Sequence, residues 1–352
     1  MSDGKQWMIY GANGYTGELV AQLARARGEK PVLAGRNAEK LQLLGDRLQL
    51  PVRAFALERG AAARGLDGVS AVLHCAGPFS ATSAPMVELC LAAGAHYLDI
   101  TGELRVIEAV LARAAEARSR GVALLPAVGF DVVPSDCLAL SLKEKLPGAS
   151  SLELAFASEG RSSPGTMKTA LEGLADGGYI RRGGELVRAP PGQELQTFPF
   201  HDKSVLCMSI PWGDLASAYI STGIPDITVY MAAPPALLRA ARLSRLFSPA
   251  LRIGPLRRFL QARIGASVRG PGEALRRTQK VEFFGRVRDA AGHTAEGTLT
   301  TPEGYTLTAE AALACTLRAA RGEVAPGAFT PAQAFGSSFV STLPGTTLRV
   351  PR

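Results

Sequence analysis

Along the first 135 residues, short apolar runs alternate with segments in which apolar residues recur every three or four positions. The runs indicate buried strands, and the periodic segments indicate helices with one buried face. The predicted strands are residues 7–10, 31–34, 51–57, 71–75, 96–100 and 122–128. The predicted helices between them are residues 18–27, 39–48, 85–93 and 103–120. This alternation predicts an α/β fold, a Rossmann-type doubly wound parallel sheet.

The pattern changes after Asp131, where strand-like alternation and longer loops replace the regular crossovers. Ser135 stands where a side chain would cap a helix. The later predicted elements are a helix over 136–145, strands over 152–157, 281–288 and 294–301, and a helix over 307–320. We therefore predict a Rossmann domain over 1–136 and an α+β substrate and dimerisation domain over 137–352, with the last helix able to pack back on the first domain.

Length and composition agree with this organisation. The 352 residues suggest two domains, and the hydrophobic fraction of 47% is ample for a core. The sequence has no uncharged apolar run of about 18 residues and no secretory signal pattern at its start, so we expect a cytoplasmic protein. The five cysteines and four histidines lack the spacing of metal ligands or of a disulfide framework. No metal site is predicted.

The net charge of +8 comes from one segment. Between Asp226 and Glu273 there is no acidic residue, whereas eight arginines lie between Arg239 and Arg269. Three interpretations remain open: a solvated face, a segment that contacts an anionic membrane surface, or a docking surface for an acidic carrier protein. Prolines interrupt the segment, which disfavours one long membrane-lying helix, and charge balance elsewhere disfavours nucleic-acid binding.

The stretch GANGYTG, residues 11–17, lies between the first predicted strand and the first predicted helix. Small residues there suit a tight turn, but the same context suits a dinucleotide cradle. Gly14 would allow a pyrophosphate to approach the backbone, and Gly17 would allow the helix to pack closely on the strand. The helix N-terminus would supply N–H groups to the phosphates. We predict that this loop binds the cofactor through Gly11, Asn13, Gly14, Tyr15, Thr16 and Gly17.

The end of the second predicted strand indicates which dinucleotide is bound. An NAD-binding domain usually has an acidic residue there, which holds the ribose 2′-hydroxyl. This chain has Gly35, Arg36 and Asn37 instead, followed by Lys40. A guanidinium can pair with a 2′-phosphate, although a solvated surface arginine would fit the same pattern. We predict NADP(H) as the cofactor, with these four residues in its site.

Two further loops follow the fourth and fifth predicted strands, at the sheet edge where ligands bind in open α/β folds. Asp99 and Glu103 are candidates there for a general acid or base, or for ordinary helix capping. Small residues in these loops would let the nicotinamide ribose approach the backbone. The predicted cofactor contacts in the two loops are Cys75, Ala76, Gly77, Pro78, Thr101 and Gly102.

Longer phrases of the chain resemble a known family. The NADP-binding half of the saccharopine dehydrogenase-like oxidoreductases is similar to YGANGYTG, LAGRN, VLHCAGPF, GAHYLDITGE and VGFDVVPSD. The branch called trans-acting enoyl reductases is similar to PWGDLASAYISTGIPDITVYM, TPEGYTLTA and GAFTPAQAFG. The resemblance implies hydride transfer with NADP(H) and, in that branch, reduction of carbon–carbon double bonds in acyl chains carried by a polyketide synthase. Asn13 replaces a more usual Thr, and SATSAP lacks a glycine expected before its proline.

The substrate and the proton donor stay open at this level. An unsaturated acyl thioester or a similar lipid intermediate is our first expectation, and an imine or amino-acid adduct is the alternative. A third interpretation is a non-enzymatic, NADP(H)-bound protein associated with lipid or membrane. Tyr219, Lys168 and Asp131 are candidate proton donors, but they form no recognisable constellation. We also expect a homodimer.

The arginine-rich segment generates a direct test. Replacing Arg252, Arg257 and Arg258 with Glu reverses the charge that would attract an anionic surface or an acidic carrier. We expect the triple variant to lose binding to anionic liposomes or to an acyl carrier protein in a sedimentation or pull-down assay. A variant with the same change of net charge outside residues 239–269 is the control, and unchanged binding of the triple variant would refute the docking hypothesis.

Overall fold

The structure is a computed structural model. It describes residues 6–57, 63–158, 178–189, 192–201, 203–233, 238 and 271–351. The chain divides into two compact units, one made of Met1–Val133 and Tyr305–Gly336 and the other of Pro134–Gly304 and Ser337–Arg352. A late segment of the chain therefore belongs to the first unit.

The first unit is built on a parallel sheet. Its strands, numbered along the whole chain, are β1 Gln6–Tyr10, β2 Val32–Gly35, β3 Val52–Ala54, β4 Val69–His74, β5 His96–Asp99, β6 Ala123–Leu125 and β15 Gly327–Ala328. The order across the sheet is β15-β6-β5-β4-β1-β2-β3, and every neighbouring pair is parallel. The strand order reverses between β1 and β4, where doubly wound sheets bind ligands. The predicted α/β fold is confirmed; the two-residue β15 is too short to leave a sequence pattern.

Helices accompany this sheet. They are α1 Tyr15–Ala26, α2 Ala38–Leu48, α3 Phe79–Ala93, α4 Leu104–Leu111, α5 Ala114–Ser119, α9 Gly304–Ala320 and α10 Pro331–Phe335, with a short 3-10 segment over Ala63–Leu66. The apolar faces of these helices bury against strands that are themselves apolar on both faces, as a parallel sheet requires.

Several boundaries in this unit differ from the predicted ones. Helix α1 begins at Tyr15 rather than at residue 18, and strand β3 ends at Ala54 rather than at residue 57. Helix α3 begins at Phe79 and contains Pro85, the predicted first residue of that helix. The predicted helix over 103–120 is two helices, α4 and α5, separated at Ala112 and Arg113. Strand β6 stops at Leu125, well before the predicted end at residue 128.

The second unit contains a nine-stranded mixed sheet. Its strands are β7 Ala149–Ser158, β8 Tyr179–Arg182, β9 Glu185–Arg188, β10 Leu195–Phe200, β11 Lys203–Ser209, β12 Asp226–Ala232, β13 Lys280–Asp289, β14 Thr294–Pro302 and β16 Thr347–Arg349. Its helices are α6 Val133–Lys145, α7 Asp214–Thr222 and α8 Glu273–Thr278, with a 3-10 segment over Phe339–Thr342. The main order is β10-β11-β12-β7-β13-β14-β16, and β8 joins β12 to β9.

Helix α6 lies on one face of this sheet at positions where the strands have no side chain. A Cβ atom at Gly285 would lie 2.7 Å from Leu142 Cδ1, and one at Gly297 would lie 3.0 Å from Leu138 Cδ1. The two glycines therefore allow close packing of the helix. Ser135 lies inside α6 rather than before it, so the predicted cap is wrong; its hydroxyl donates to Asp214 Oδ1 at 2.6 Å.

The described residues do not meet the requirements for a disulfide, a metal site or a membrane-spanning helix. All five cysteines are free thiols, and no group of His, Cys, Asp or Glu within the described residues is arranged to hold a metal ion. None of the helices in the described part of the chain combines the length and apolar character that crossing a bilayer would need.

The packing of α6 predicts a large effect of one substitution. Leu138 is fully buried, so Leu138→Ala should lower the free energy of unfolding of this unit by about 2–5 kcal/mol. Urea unfolding in a Trp7→Phe background, in which Trp212 is the remaining tryptophan, reports on this unit. Leu206→Ala is the matched control, since Leu206 is 42% exposed. Equal midpoints for the two variants would contradict this account of the packing.

Candidate functional site

The loop after β1 is shaped by close contacts at two glycines. Gly11 has a φ of +86°, and a Cβ atom there would lie 2.8 Å from the backbone nitrogen of Ala76. A Cβ atom at Gly17 would overlap the carbonyl oxygen of Gly11 and lie 2.9 Å from Ala12 Cα. Strand β4 and helix α1 can therefore approach the loop only because both positions are glycine.

Gly14 has a different role from the other two glycines. It is the N-cap residue of α1, no side chain caps the helix there, and Gly14 itself is exposed. Among the described residues, a Cβ atom at Gly14 would meet one atom within 4 Å, the Gly11 oxygen at 3.2 Å. The open backbone and the positive end of the helix dipole fit an approaching pyrophosphate.

The end of β2 supplies positive charge beside this loop. Arg36 is exposed, and Gly35 is covered by Asn13, whose Oδ1 would lie 3.2 Å from a Cβ atom at Gly35. The Asn37 side chain caps α2 by accepting the Lys40 backbone N–H at 2.9 Å. A neighbouring cleft of about 320 Å³ is lined by Asn13, Glu18, Lys40, Leu43, Leu44 and Arg47. Sequence analysis missed Arg47, which pairs with Glu18 at 2.5 Å.

The loop after β4 is the second predicted cofactor segment. The Cys75 backbone N–H donates to the Tyr10 carbonyl at 2.7 Å, which joins this loop to β1. The hydroxyl of Thr82 contacts the carbonyl oxygens of Ala76 and Pro78 at 2.7 and 3.0 Å. The peptide bond before Pro78 is cis. Gly77, between them, is exposed, so the small residues leave backbone open at the carboxyl edge of the sheet.

A buried hydrogen-bond network lies beneath these loops. Asp99 is fully buried, and its Oδ2 accepts the Tyr97 hydroxyl at 2.6 Å. Its Oδ1 accepts the backbone N–H groups of Thr101 and Ala127 at 3.0 and 2.8 Å. Burial raises the pKa of Asp99 to about 6. The carboxylate therefore joins the end of β5 to the segment that follows β6, in which Ala127 has a φ of +60° and has left the strand conformation.

Glu103 has a capping position. Its two carboxylate oxygens accept the backbone N–H groups of Phe79 and Ser80 at 2.9 and 2.6 Å, which satisfies the first turn of α3. Its own backbone N–H donates to Thr101 Oγ1 at 3.0 Å. The two hydrogen bonds from Phe79 and Ser80 to the Glu103 carboxylate explain why α3 begins at Phe79. The structure thus places both Asp99 and Glu103 in structural hydrogen bonds.

Asp131 lies at the same edge of the sheet. A Cβ atom at Gly102 would overlap Asp131 Oδ2 and lie 2.9 Å from Asp131 Cγ, so the carboxyl group packs directly on the Gly102 backbone. Burial raises the pKa of Asp131 to about 7. An acidic group that is partly protonated at neutral pH is suited to proton transfer.

The other two candidate proton donors have different outcomes. The Tyr219 ring lies under the Arg181 guanidinium at 4.3 Å, and its hydroxyl faces Gly184 in the β8–β9 turn. Arg181 is buried and donates to the carbonyl oxygens of Leu215 and Gly184. Tyr219 is thus part of the packing of the second unit. Lys168 and the segment Arg239–Arg269 lie outside the described residues.

Sequence analysis missed the contribution of α9 to this edge. The Tyr305 ring packs edge-on against Tyr15 of the glycine loop, with centroids 5.0 Å apart. One turn later, Thr308 Oγ1 accepts the Phe130 backbone N–H at 3.0 Å. The first turns of α9 therefore touch both the loop after β1 and the loop that carries Asp131. The segment TPEGYTLTA contains both residues, but it is far along the chain from Tyr15 and Phe130, so the sequence gives no sign of these contacts.

The charge at Arg36 generates a prediction about the cofactor. Arg36→Ala should raise the Kd for NADPH about 10- to 100-fold, the equivalent of about 1.5–3 kcal/mol for a hydrogen-bonded charge pair, and leave the Kd for NADH unchanged. Enhancement of nicotinamide fluorescence measures both constants. Arg120→Ala is the control, because Arg120 is exposed just before β6, at the opposite edge of the sheet. An equal loss of NADH affinity would contradict a 2′-phosphate contact.

Comparisons with known proteins agree with this geometry. Residues 7–125 match the family described as Saccharopine dehydrogenase NADP binding domain. The human saccharopine dehydrogenase-like oxidoreductase is 29% identical over 202 residues, which cover 50% of this chain and 47% of that protein. A trans-acting enoyl reductase from Mycobacterium leprae is 33% identical over 138 residues, 37% of this chain and 33% of that protein. The matches thus span about half the length of these curated relatives, or less.

A solved structure extends the similarity of fold. Saccharopine dehydrogenase (L-Glu forming) from Saccharomyces cerevisiae aligns with a TM-score of 0.69 and 11% identity, covering 99% of this chain and 100% of that one. At this identity the likeness concerns the fold. Together with the contacts at Gly11 and Gly17, the family match assigns residues 7–125 to the family described as Saccharopine dehydrogenase NADP binding domain, and NADP(H) is the cofactor class of that domain.

Proposed function

We propose that this protein is an NADPH-dependent reductase that reduces a carbon–carbon double bond in an acyl thioester or a similar lipid-like intermediate. The main support is the chemistry of the carboxyl edge of the parallel sheet. Three of the loops at this edge, residues 75–80 after β4, 99–104 after β5 and 126–133 after β6, contain no lysine or arginine. Their side chains are small, apolar, hydroxylic or acidic, which suits an uncharged acyl group.

Different residues of the chain would bind different parts of the cofactor. The open backbone at Gly14 would face the pyrophosphate, Arg36 would pair with the 2′-phosphate, and the exposed Gly77 would leave room for the nicotinamide ribose. Bound NADPH supplies the hydride. Positioning of the two reactants then contributes much of the rate acceleration.

The name of a relative gives further support. The Mycobacterium leprae protein is named a trans-acting enoyl reductase, and reduction of an enoyl group is the reaction proposed here. Delivery of the substrate on an acidic carrier protein is part of this proposal and depends on the segment Arg239–Arg269. The assignment of residues 137–352 as a domain that binds substrate and forms the dimer also stays a prediction.

An imine or amino-acid adduct is the second candidate, because a yeast protein with this fold is named a saccharopine dehydrogenase. A substrate with several carboxylates needs convergent cationic side chains. The three edge segments offer Asp99, Glu103 and Asp131 instead. The absence of lysine and arginine from these three segments favours the enoyl thioester over an anionic substrate.

The proposal predicts which substrate consumes NADPH. Crotonyl thioester should cause loss of NADPH absorbance and yield the saturated thioester by mass spectrometry. An imine formed from glutamate and an aldehyde should cause none. Gly11→Val is the control variant, because its side chain would collide with the Ala76 backbone and disrupt the cofactor loop.

Each outcome separates the candidates. Consumption of the imine but not of the thioester would overturn the proposed substrate class. Tight NADPH binding without turnover of either compound would favour the non-enzymatic interpretation.

A further inference from the structure

We propose that Asp131 donates the proton in this reduction, and that residue 102 is glycine because the Asp131 carboxyl group occupies the space of a side chain there. The inference rests on the proposed function, since it assigns a group to the protonation that follows hydride transfer.

The first support is the position of the carboxyl group. A Cβ atom at Gly102 would overlap Asp131 Oδ2 and would lie 2.9 Å from Cγ and 3.2 Å from Cβ of the same residue. Gly102 follows β5 at the carboxyl edge, where ligands bind in open α/β sheets. An alanine at position 102 would push the carboxyl group away.

The second support is the rigidity of the loop that carries Asp131. The Ala127 N–H donates to Asp99 Oδ1, and the Val128 N–H donates to the Asp99 carbonyl at 2.7 Å. The Phe130 N–H donates to Thr308 Oγ1 of α9. Hydrogen bonds to two different elements therefore fix the backbone on either side of Gly129. A proton donor needs such fixed placement to act within hydrogen-bond reach of its substrate.

The third support is electrostatic. On the β5 loop, the neighbouring carboxyl groups are Asp99, which accepts three hydrogen bonds, and Glu103, which caps α3. From α9, the Thr308 hydroxyl accepts the Phe130 N–H of the loop that carries Asp131. Burial raises the pKa of Asp131 to about 7, so the acid is partly protonated at neutral pH and can also regain its proton.

The proposed reaction is balanced. The β carbon of the enoyl thioester receives the hydride supplied by NADPH, which becomes NADP⁺. The electron pair of the double bond forms a new C–H bond at the α carbon with the proton of the Asp131 carboxyl group. The resulting carboxylate takes a proton from water. The sum is addition of one hydride and one proton across the double bond.

The pH profile of kcat tests this role. A group that must be protonated loses activity as the pH rises, so wild-type kcat should fall above pH about 7. Asp131→Asn should lower kcat about 100- to 10,000-fold, remove this pH limb, and leave the Kd for NADPH within about twofold. Glu108→Gln is the matched control, because Glu108 pairs with Arg105 on α4. Asp99→Asn tests whether the limb belongs instead to Asp99.

A second readout does not depend on turnover. Infrared difference spectra of the NADP⁺-bound protein should show a protonated carboxyl band that titrates near pH 7 and is lost in Asp131→Asn. Gly102→Ala should shift that titration and lower kcat, whereas Gly272→Ala, whose Cβ would have no atom of the described residues within 4 Å, should do neither. Titration of Asp131 near its ordinary value would overturn the inference whatever the substrate.

The two proposals fail differently. If the wild-type protein reduces no enoyl thioester, the proposed function fails. If it does, and Asp131→Asn keeps the wild-type kcat and pH limb, the assignment of the proton donor fails alone.

Discussion

The candidate site depends most on the hydrogen bonds that the Asp99 carboxylate accepts. This carboxylate is fully buried, and it accepts hydrogen bonds from the Tyr97 hydroxyl and from the backbone of Thr101 and Ala127. A buried carboxylate is costly unless its oxygens are satisfied. The three donors satisfy it, and in doing so they hold the ends of β5 and β6 at fixed positions. Gly102 and Asp131 stand on the two segments that this one side chain joins.

Several glycines of the candidate site let other groups approach the backbone closely, because glycine has no Cβ atom. Gly11 and Gly17 allow strand, loop and helix to touch, while Gly14 leaves backbone open. Gly102 makes room for a side chain of the same domain, the carboxyl group of Asp131. The predicted cofactor loop and the proposed proton donor thus rely on the same physical feature, the absence of a Cβ atom where another group comes close.

Much of the first unit could be predicted from local sequence. Buried parallel strands, amphipathic helices and the glycine loop each leave a pattern within about ten residues, so the fold and the cofactor class follow from them. The errors arise where a distant residue decides. Helix α3 starts at Phe79 because Glu103 caps it, and Ser135 bonds to Asp214 rather than capping α6. Nothing local signals the contact of Tyr305 with Tyr15.

A crystal structure of the NADP⁺ complex tests the central claim most directly. The account predicts the pyrophosphate at the Gly14 backbone, the 2′-phosphate at Arg36, and the nicotinamide ring beside Gly77 and Gly102, with the Asp131 carboxyl group facing the space next to the ring. A nicotinamide bound away from Gly102, or an Asp131 side chain turned from the ring and sealed by other protein groups, would contradict it.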